Sequence, residues 1–138
     1  MPQKFEDFAA SSAGLAGVRK NRVRDAFRNL TLRLCGAKYP VLFIQRLVER
    51  HGVAGQTDLF NENMIIEGNL TEGEMLSSIW HEVLEVLNKK FVLNMEHDLL
   101  QKLENATFAA LVDNPEYLQE LLIYAKRYAK SENKKVKE

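Results

Sequence analysis

From Thr71 onward, apolar residues return every three or four positions. Leu76, Ile79, Trp80, Val83, Leu84 and Leu87 fall on one side, while Ser78, His81, Glu82, Glu85 and Asn88 occupy the other. This spacing predicts an amphipathic helix packed on a core. Thr71 followed by Glu74 has the spacing of a capping box, and Glu72 sits well near the positive end of the helix dipole. Asn94 is suited to cap a second helix, Met95 to about Val112, whose buried side is expected to hold Leu99, Leu103, Ala106 and Ala110, with Leu100, Thr107 and Leu111 flanking. Asp113-Asn114-Pro115 then ends that helix and starts a third, with Asn114 as cap and Pro115 as first residue. Its inward stripe is predicted to be Leu118, Leu121, Leu122, Ala125 and Tyr128.

The first half of the chain reads differently. Val23, Phe27, Leu30 and Leu34 recur at helical spacing among Arg22, Arg24, Arg28 and Arg33, which predicts an N-terminal helix over 18–34 stopped by Gly36. Pro40 discourages helix, and the β-branched and large apolar residues of 41–48, with turn residues at His51-Gly52, Gly55 and 61–63, predict short strands. Three strands, at about 41–48, 53–60 and 63–67, are expected to form an antiparallel meander covered by the helix that follows. The fold class is α+β: an N-terminal helix, that meander, the helix carrying His81 and two further C-terminal helices. One domain is expected over 18–130, with a loose arm at 1–17 and a charged, solvated tail at 131–138.

Composition narrows the function. Nineteen basic residues balance nineteen acidic ones in 138, so no global field favours nucleic acid or an anionic membrane. The arginines of the first helix read as a solvated face. No run approaches the roughly 18 apolar residues of a membrane span. Cys35 is the single cysteine, expected as a small core residue; it suits a reducing cytoplasm and cannot build a cysteine-type zinc site.

The candidate chemistry lies in His81-Glu82-Val83-Leu84-Glu85. On a helix, His81 and Glu85 stand one turn apart on the same side, with Glu82 beside them. That is the layout of H-E-x-x-H with Glu85 in place of the second histidine, and a carboxylate is also a good zinc ligand. A catalytic zinc commonly keeps three protein ligands, and His97 can supply the third if the chain doubles back after Phe91 to Met95. His81, Glu85 and His97 are therefore the expected zinc ligands, with Glu82 as the proton acceptor that does not touch the metal. An oxyanion stabiliser is also needed. Tyr117, Tyr124 and His51 are chemically suitable, but the sequence brings none of them to the site.

These residues also carry a resemblance. Trp80, His81, Glu82, Glu85 and Asn88 match a W-H-E-h-h-E-h-h-N block (h, apolar); Leu93, Glu96 and His97 match a following L-x-x-E-H block; Leu103, Glu104, Phe108, Leu111, Asp113 and Asn114 match a glutamate-bearing helix ending in D-N. Gly55 to Asp58, ahead of 64–67, looks like the meander preceding this helix. Over roughly 39–122 the chain resembles the short metallopeptidase-like proteins of bacteriophages and prophages, relatives of the ImmA/IrrE-type zincins. The resemblance implies a minimal zincin-like fold, bound zinc, and a protein or peptide as substrate or binding partner. It also makes Glu104 a competing third ligand, because the ImmA/IrrE pattern takes one from the next helix. The absent second histidine leaves a catalytically inactive, protein-binding scaffold as the alternative to a peptidase.

Overall fold

The computed structural model describes residues 20–137 and divides into two compact units, Met1–Glu104 and Asn105–Glu138. The first unit is α+β. In chain order its elements are α1 (Arg22–Phe27), β1 (Thr31–Leu34), β2 (Ala37–Ile44), α2 (Leu47–His51), β3 (Gly55–Asp58), β4 (Asn63–Glu67) and α3 (Glu72–Lys90); α4 (His97–Val112) begins in it. The second unit takes the rest of α4 and all of α5 (Pro115–Lys137). The expected arm at 1–17 lies outside the described residues. Among the described residues no helix is long and apolar enough to cross a membrane.

The four strands form one mixed sheet in the order β1-β2-β4-β3. β1 and β3 each pair antiparallel with their neighbours, but β2 and β4 run parallel, Val41 opposite Met64 and Ile44 opposite Glu67. This corrects the three-stranded antiparallel meander. A parallel pair needs a crossover, and the segment expected to finish the first strand instead turns through Arg46, in the left-handed region at φ 62°, into α2. Glu67 supports that turn, its carboxylate accepting from the Val48 amide at 3.3 Å and the Asn69 amide at 3.1 Å.

The predicted helix over 18–34 is also corrected. Among its described residues only Arg22–Phe27 is helical, capped by Asn21, whose side chain accepts from the Arg24 amide at 3.0 Å. The Asn21 amide donates to the Leu70 carbonyl at 2.9 Å and the buried Arg24 guanidinium to the Gly68 carbonyl at 2.9 Å, tying α1 to the loop before α3. Residues 31–34 are strand, because Cys35 and Gly36 take φ of 52° and 81°, the pair of left-handed residues that closes a two-residue hairpin between Leu34 and Ala37. Cys35 is thus exposed at a turn rather than packed in the core.

β4 is buried along its whole length, so it shows no alternation. Met64 and Ile66 pack with Val41 and Phe43 against Met75, Ile79 and Val83 of α3, while Ile65 packs with Ile44 and Leu47. α3 starts as its sequence predicts: Thr71 accepts from the Glu74 amide and Glu74 accepts from the Thr71 amide, the two halves of a capping box. In the first-unit part of α4 the buried row is Leu100 and Glu104, one position away from the expected Leu99 and Leu103, which are exposed.

The second unit keeps the break at 113–114, with Pro115 the first residue of α5. Asn114 uses its side chain differently from a usual cap, donating to the Ala110 carbonyl at 2.7 Å. Leu118, Leu121, Leu122 and Tyr128, expected to face inward, are exposed. The segment expected as a tail continues the helix to Lys137.

The sheet core sets a stability test. Ile66→Ala empties a fully buried position and is expected to lower unfolding free energy by about 2–5 kcal/mol. Phe60→Ala, at a residue 94% exposed, is expected to change it by less than about 0.5 kcal/mol. Urea unfolding of the two variants beside the wild type measures both.

Candidate metal centre

Glu85, one turn after His81 on α3, lies with its Oε1 3.5 Å from His81 Nε2. His97, the first residue of α4, brings its Nδ1 within 3.9 Å of the same oxygen. One donor atom from each of the three residues lies within 4.8 Å of the other two, and the imidazoles meet edge to face with centroids 5.9 Å apart.

His97 reaches this position because the chain between α3 and α4 is folded back by one side chain. Asn88 donates to the Met95 carbonyl at 3.1 Å and accepts from the Met95 amide at 3.0 Å, closing the connector at two points. Val92 and Asn94 within it adopt φ of 51° and 54°. Asn94 is thus spent on the turn. In the sequence Asn88 stands on the polar face and ends the W-H-E-h-h-E-h-h-N block, with no sign of this bond to Met95.

His81 is oriented from its other nitrogen. Its Nδ1 lies 2.7 Å from Glu104 Oε2, and Glu104 is 4% exposed. The Ser77 hydroxyl donates to Glu104 Oε1 at 3.0 Å and the Gln101 amide to Oε2 at 2.8 Å. A carboxylate beside Nδ1 selects the tautomer protonated there, and Nε2 lies on the side of Glu85. Glu104 therefore stands behind His81, away from the group formed by His81, Glu85 and His97.

Glu82 occupies a separate position. It is buried, and Thr57 of β3 donates to its Oε2 at 2.6 Å. Burial pushes its carboxyl pKa up; the Thr57 hydrogen bond and the neighbouring His81 act downward, and Glu85 and Glu104 act upward. β3 passes so close that a Cβ on Gly55 would lie 3.1 Å from Glu82 Cγ and Oε1, and 3.0 Å from Ile66 Cδ1. Neither β3 contact has a local sign in the sequence, since both follow from sheet topology.

Two hollows that share Gly55, His81 and Glu82 as lining open here. One of about 320 Å³ is bounded by residues 52–55, Ser78, His81, Glu82, His97, Gln101 and Glu104. Another of about 250 Å³ lies between β3 and the outer half of α3, with Glu85 and Lys89 on its wall. His51, a suggested oxyanion stabiliser, is exposed at the end of α2, just before the first hollow's wall. Tyr117 and Tyr124 belong to the second unit.

The donor set passes a chemical test for a metal. In a tetrahedral zinc site with bonds of about 2.0–2.1 Å, ligand atoms stand roughly 3.3 Å apart. The His81–Glu85 separation of 3.5 Å is near that value, and the Glu85–His97 separation of 3.9 Å exceeds it. His97, with its side chain 72% exposed, has room to close the remainder. No family model, characterised protein or solved structure matches the chain.

Glu82 generates a pH test. Its folded pKa is raised, so the folded state binds its proton more tightly than the unfolded chain. In chelator-treated protein its contribution to stability is expected to fall as pH rises from the ordinary glutamate range to the raised folded value, and then level off. Glu82→Gln keeps the acceptor for Thr57 and is expected to remove that slope, measured as melting temperature against pH.

Proposed function

We propose that this protein is a zinc-binding, metallopeptidase-like hydrolase in which His81, Glu85 and His97 hold the metal and Glu82 handles protons. The observation that carries the reading is the direction of His81: its Nδ1 is committed to a buried carboxylate, and its Nε2 faces a second and a third metal-type donor. The two-histidine, one-carboxylate composition is that of known catalytic zinc sites. The resemblance to phage and prophage metallopeptidase-like proteins supports the same assignment and a zincin-like arrangement of the fold.

Zinc, when bound, supplies Lewis acidity and makes a coordinated water more acidic. The chain's own residues do the rest. Glu82 takes a proton from the attacking water and returns it to the departing amine, and its raised pKa suits a group that must hold the proton between those two events. Thr57 holds Glu82 by one oxygen, and Gly55 holds it by close packing. β3 is an edge strand of the sheet. It can accept an extended peptide by main-chain hydrogen bonding, which lays the peptide along the hollows that Glu82 and His81 line.

Elemental analysis of protein prepared without a histidine tag is expected to give one zinc per chain. His81→Ala and His97→Ala are expected to lose it, together with the stabilisation a ligand of the folded state confers, about 2.7 kcal/mol at a hundredfold excess over Kd. Equal zinc in wild type and both variants overturns the assignment. Glu82→Gln is expected to retain zinc while peptide hydrolysis falls about 10²- to 10⁴-fold. A zinc-loaded wild type that cleaves no peptide keeps the metal site and removes the hydrolase.

A further inference from the structure

The two hollows beside His81 differ in charge. From the residues they share, one continues past 52–54 and Ser78, and the other past 56–57, Leu59, Val86 and Lys89. Residue numbers rise in the same order on the β3 side and the α3 side, so the hollows follow each other along one groove between strand and helix. Among the described residues lining either hollow, Lys89 is the single lysine or arginine. The acids there are already engaged: Glu104 with His81, Ser77 and Gln101, Glu82 with Thr57, and Glu85 beside both imidazoles.

Lys89 is the charge in this groove that lacks a partner. It makes no ion pair and no side-chain hydrogen bond among the described residues, although Glu85 stands one turn before it, at the spacing where such pairs form. A lysine in the last turn of a helix also suits the negative end of the dipole, and Lys90 serves that purpose equally. Lys90, however, lines neither hollow. Position in the groove is what separates these two neighbours.

Spacing sets where along a bound peptide Lys89 would act. It follows Glu85 by four residues, so it stands about 6 Å further along α3. An extended peptide on β3 advances about 3.3 Å per residue, which brings the second residue beyond the metal ligands level with Lys89. Leu59 and Val86 offer that residue an apolar wall for its stem.

We propose that Lys89 makes this groove selective for peptides that carry a carboxylate on its side of the metal ligands, at the second or third residue from the cleaved bond. The carboxylate belongs to an Asp or Glu side chain or to the peptide's C-terminus. The inference rests on the reading of the groove as a peptide site and adds the class of peptide it takes.

The probe is a library of decapeptides randomised at every position, made once with amidated and once with free C-termini. It is presented to the full chain carrying Glu82→Gln and supplied with zinc, and retained peptides are identified by mass spectrometry. Enrichment of Asp and Glu in the amidated library identifies a side-chain carboxylate; stronger retention of the free-ended library without that enrichment identifies the chain terminus. In either case adding Lys89→Glu is expected to lower the carboxylate preference about tenfold or more, and adding Lys90→Glu by less than about twofold. Both lysines are exposed, so each variant is expected to melt with its parent. Equal loss in the two variants, no carboxylate preference, or no retained peptide overturns the proposal. Cleavage of the library by the zinc-loaded wild type is measured separately. Cleavage without carboxylate preference removes the role of Lys89 and keeps the hydrolase; selection through Lys89 by a protein that cleaves nothing keeps the role and removes the hydrolase.

Discussion

The hydrogen bond between His81 Nδ1 and Glu104 is the contact on which the site's geometry depends. An imidazole has two nitrogens, and only when one is committed does the other acquire a fixed role. Glu104 can commit it because Glu104 is itself fixed: burying a carboxylate is costly unless its oxygens are satisfied, and Ser77, Gln101 and His81 satisfy them. The carboxylate comes from α4 and the imidazole from α3, so the bond also requires α4 to return beside α3. Asn88 provides that return through its two bonds to Met95. The same return carries His97. A ring orientation, a helix approach and a third donor are thus consequences of one closed connector.

Glu82 is governed by the sheet instead. β3 supplies Thr57 as donor and Gly55 as a surface without a side chain, and it lies beside α3 because β4 holds it there in antiparallel register, Gly55 opposite Ile66 and Thr57 opposite Met64. Ile66 belongs to the core cluster and also limits the space at Gly55. Packing in the core therefore sets how tightly Glu82 is enclosed. Enclosure, in turn, is the largest influence on its proton affinity.

How far the sequence reveals this arrangement depends on the range of the interaction. α3 was legible in its cap, its apolar side and the common face of His81 and Glu85, because all of these are properties of one helix. Residues 30–34 satisfied two periods at once: Leu30 and Leu34 continue the helical series from Val23 and Phe27, while Leu30, Leu32 and Leu34 alternate as in a strand. The hairpin at Cys35-Gly36 decided between them, and Gly36 alone reads equally well as a helix stop. Parallel pairing of β2 and β4 is set by the crossover between them, which local patterning does not encode. In α4 a hydrophobicity reading chose Leu99 and Leu103 over the row containing Glu104, because it assigns carboxylates to solvent. Glu104 is buried for its bonds to His81, Ser77 and Gln101, a partner set visible only in three dimensions.

The two halves of the proposed zinc site differ in preparation. His81 is held by a buried partner before any ligand arrives, and Glu85 is three-quarters enclosed on the same rigid helix, whereas His97 stands at a helix start with most of its ring in solvent. Ordering a side chain on binding costs conformational entropy, so the expense of completing such a site falls on one residue and on the connector behind it. Affinity then depends on how firmly Asn88 holds Met95 as well as on the ligands themselves. A site divided in this way allows the third donor to move without disturbing Glu82 or Glu104, because their restraints come from β3 in one case and from α3 and the next turn of α4 in the other.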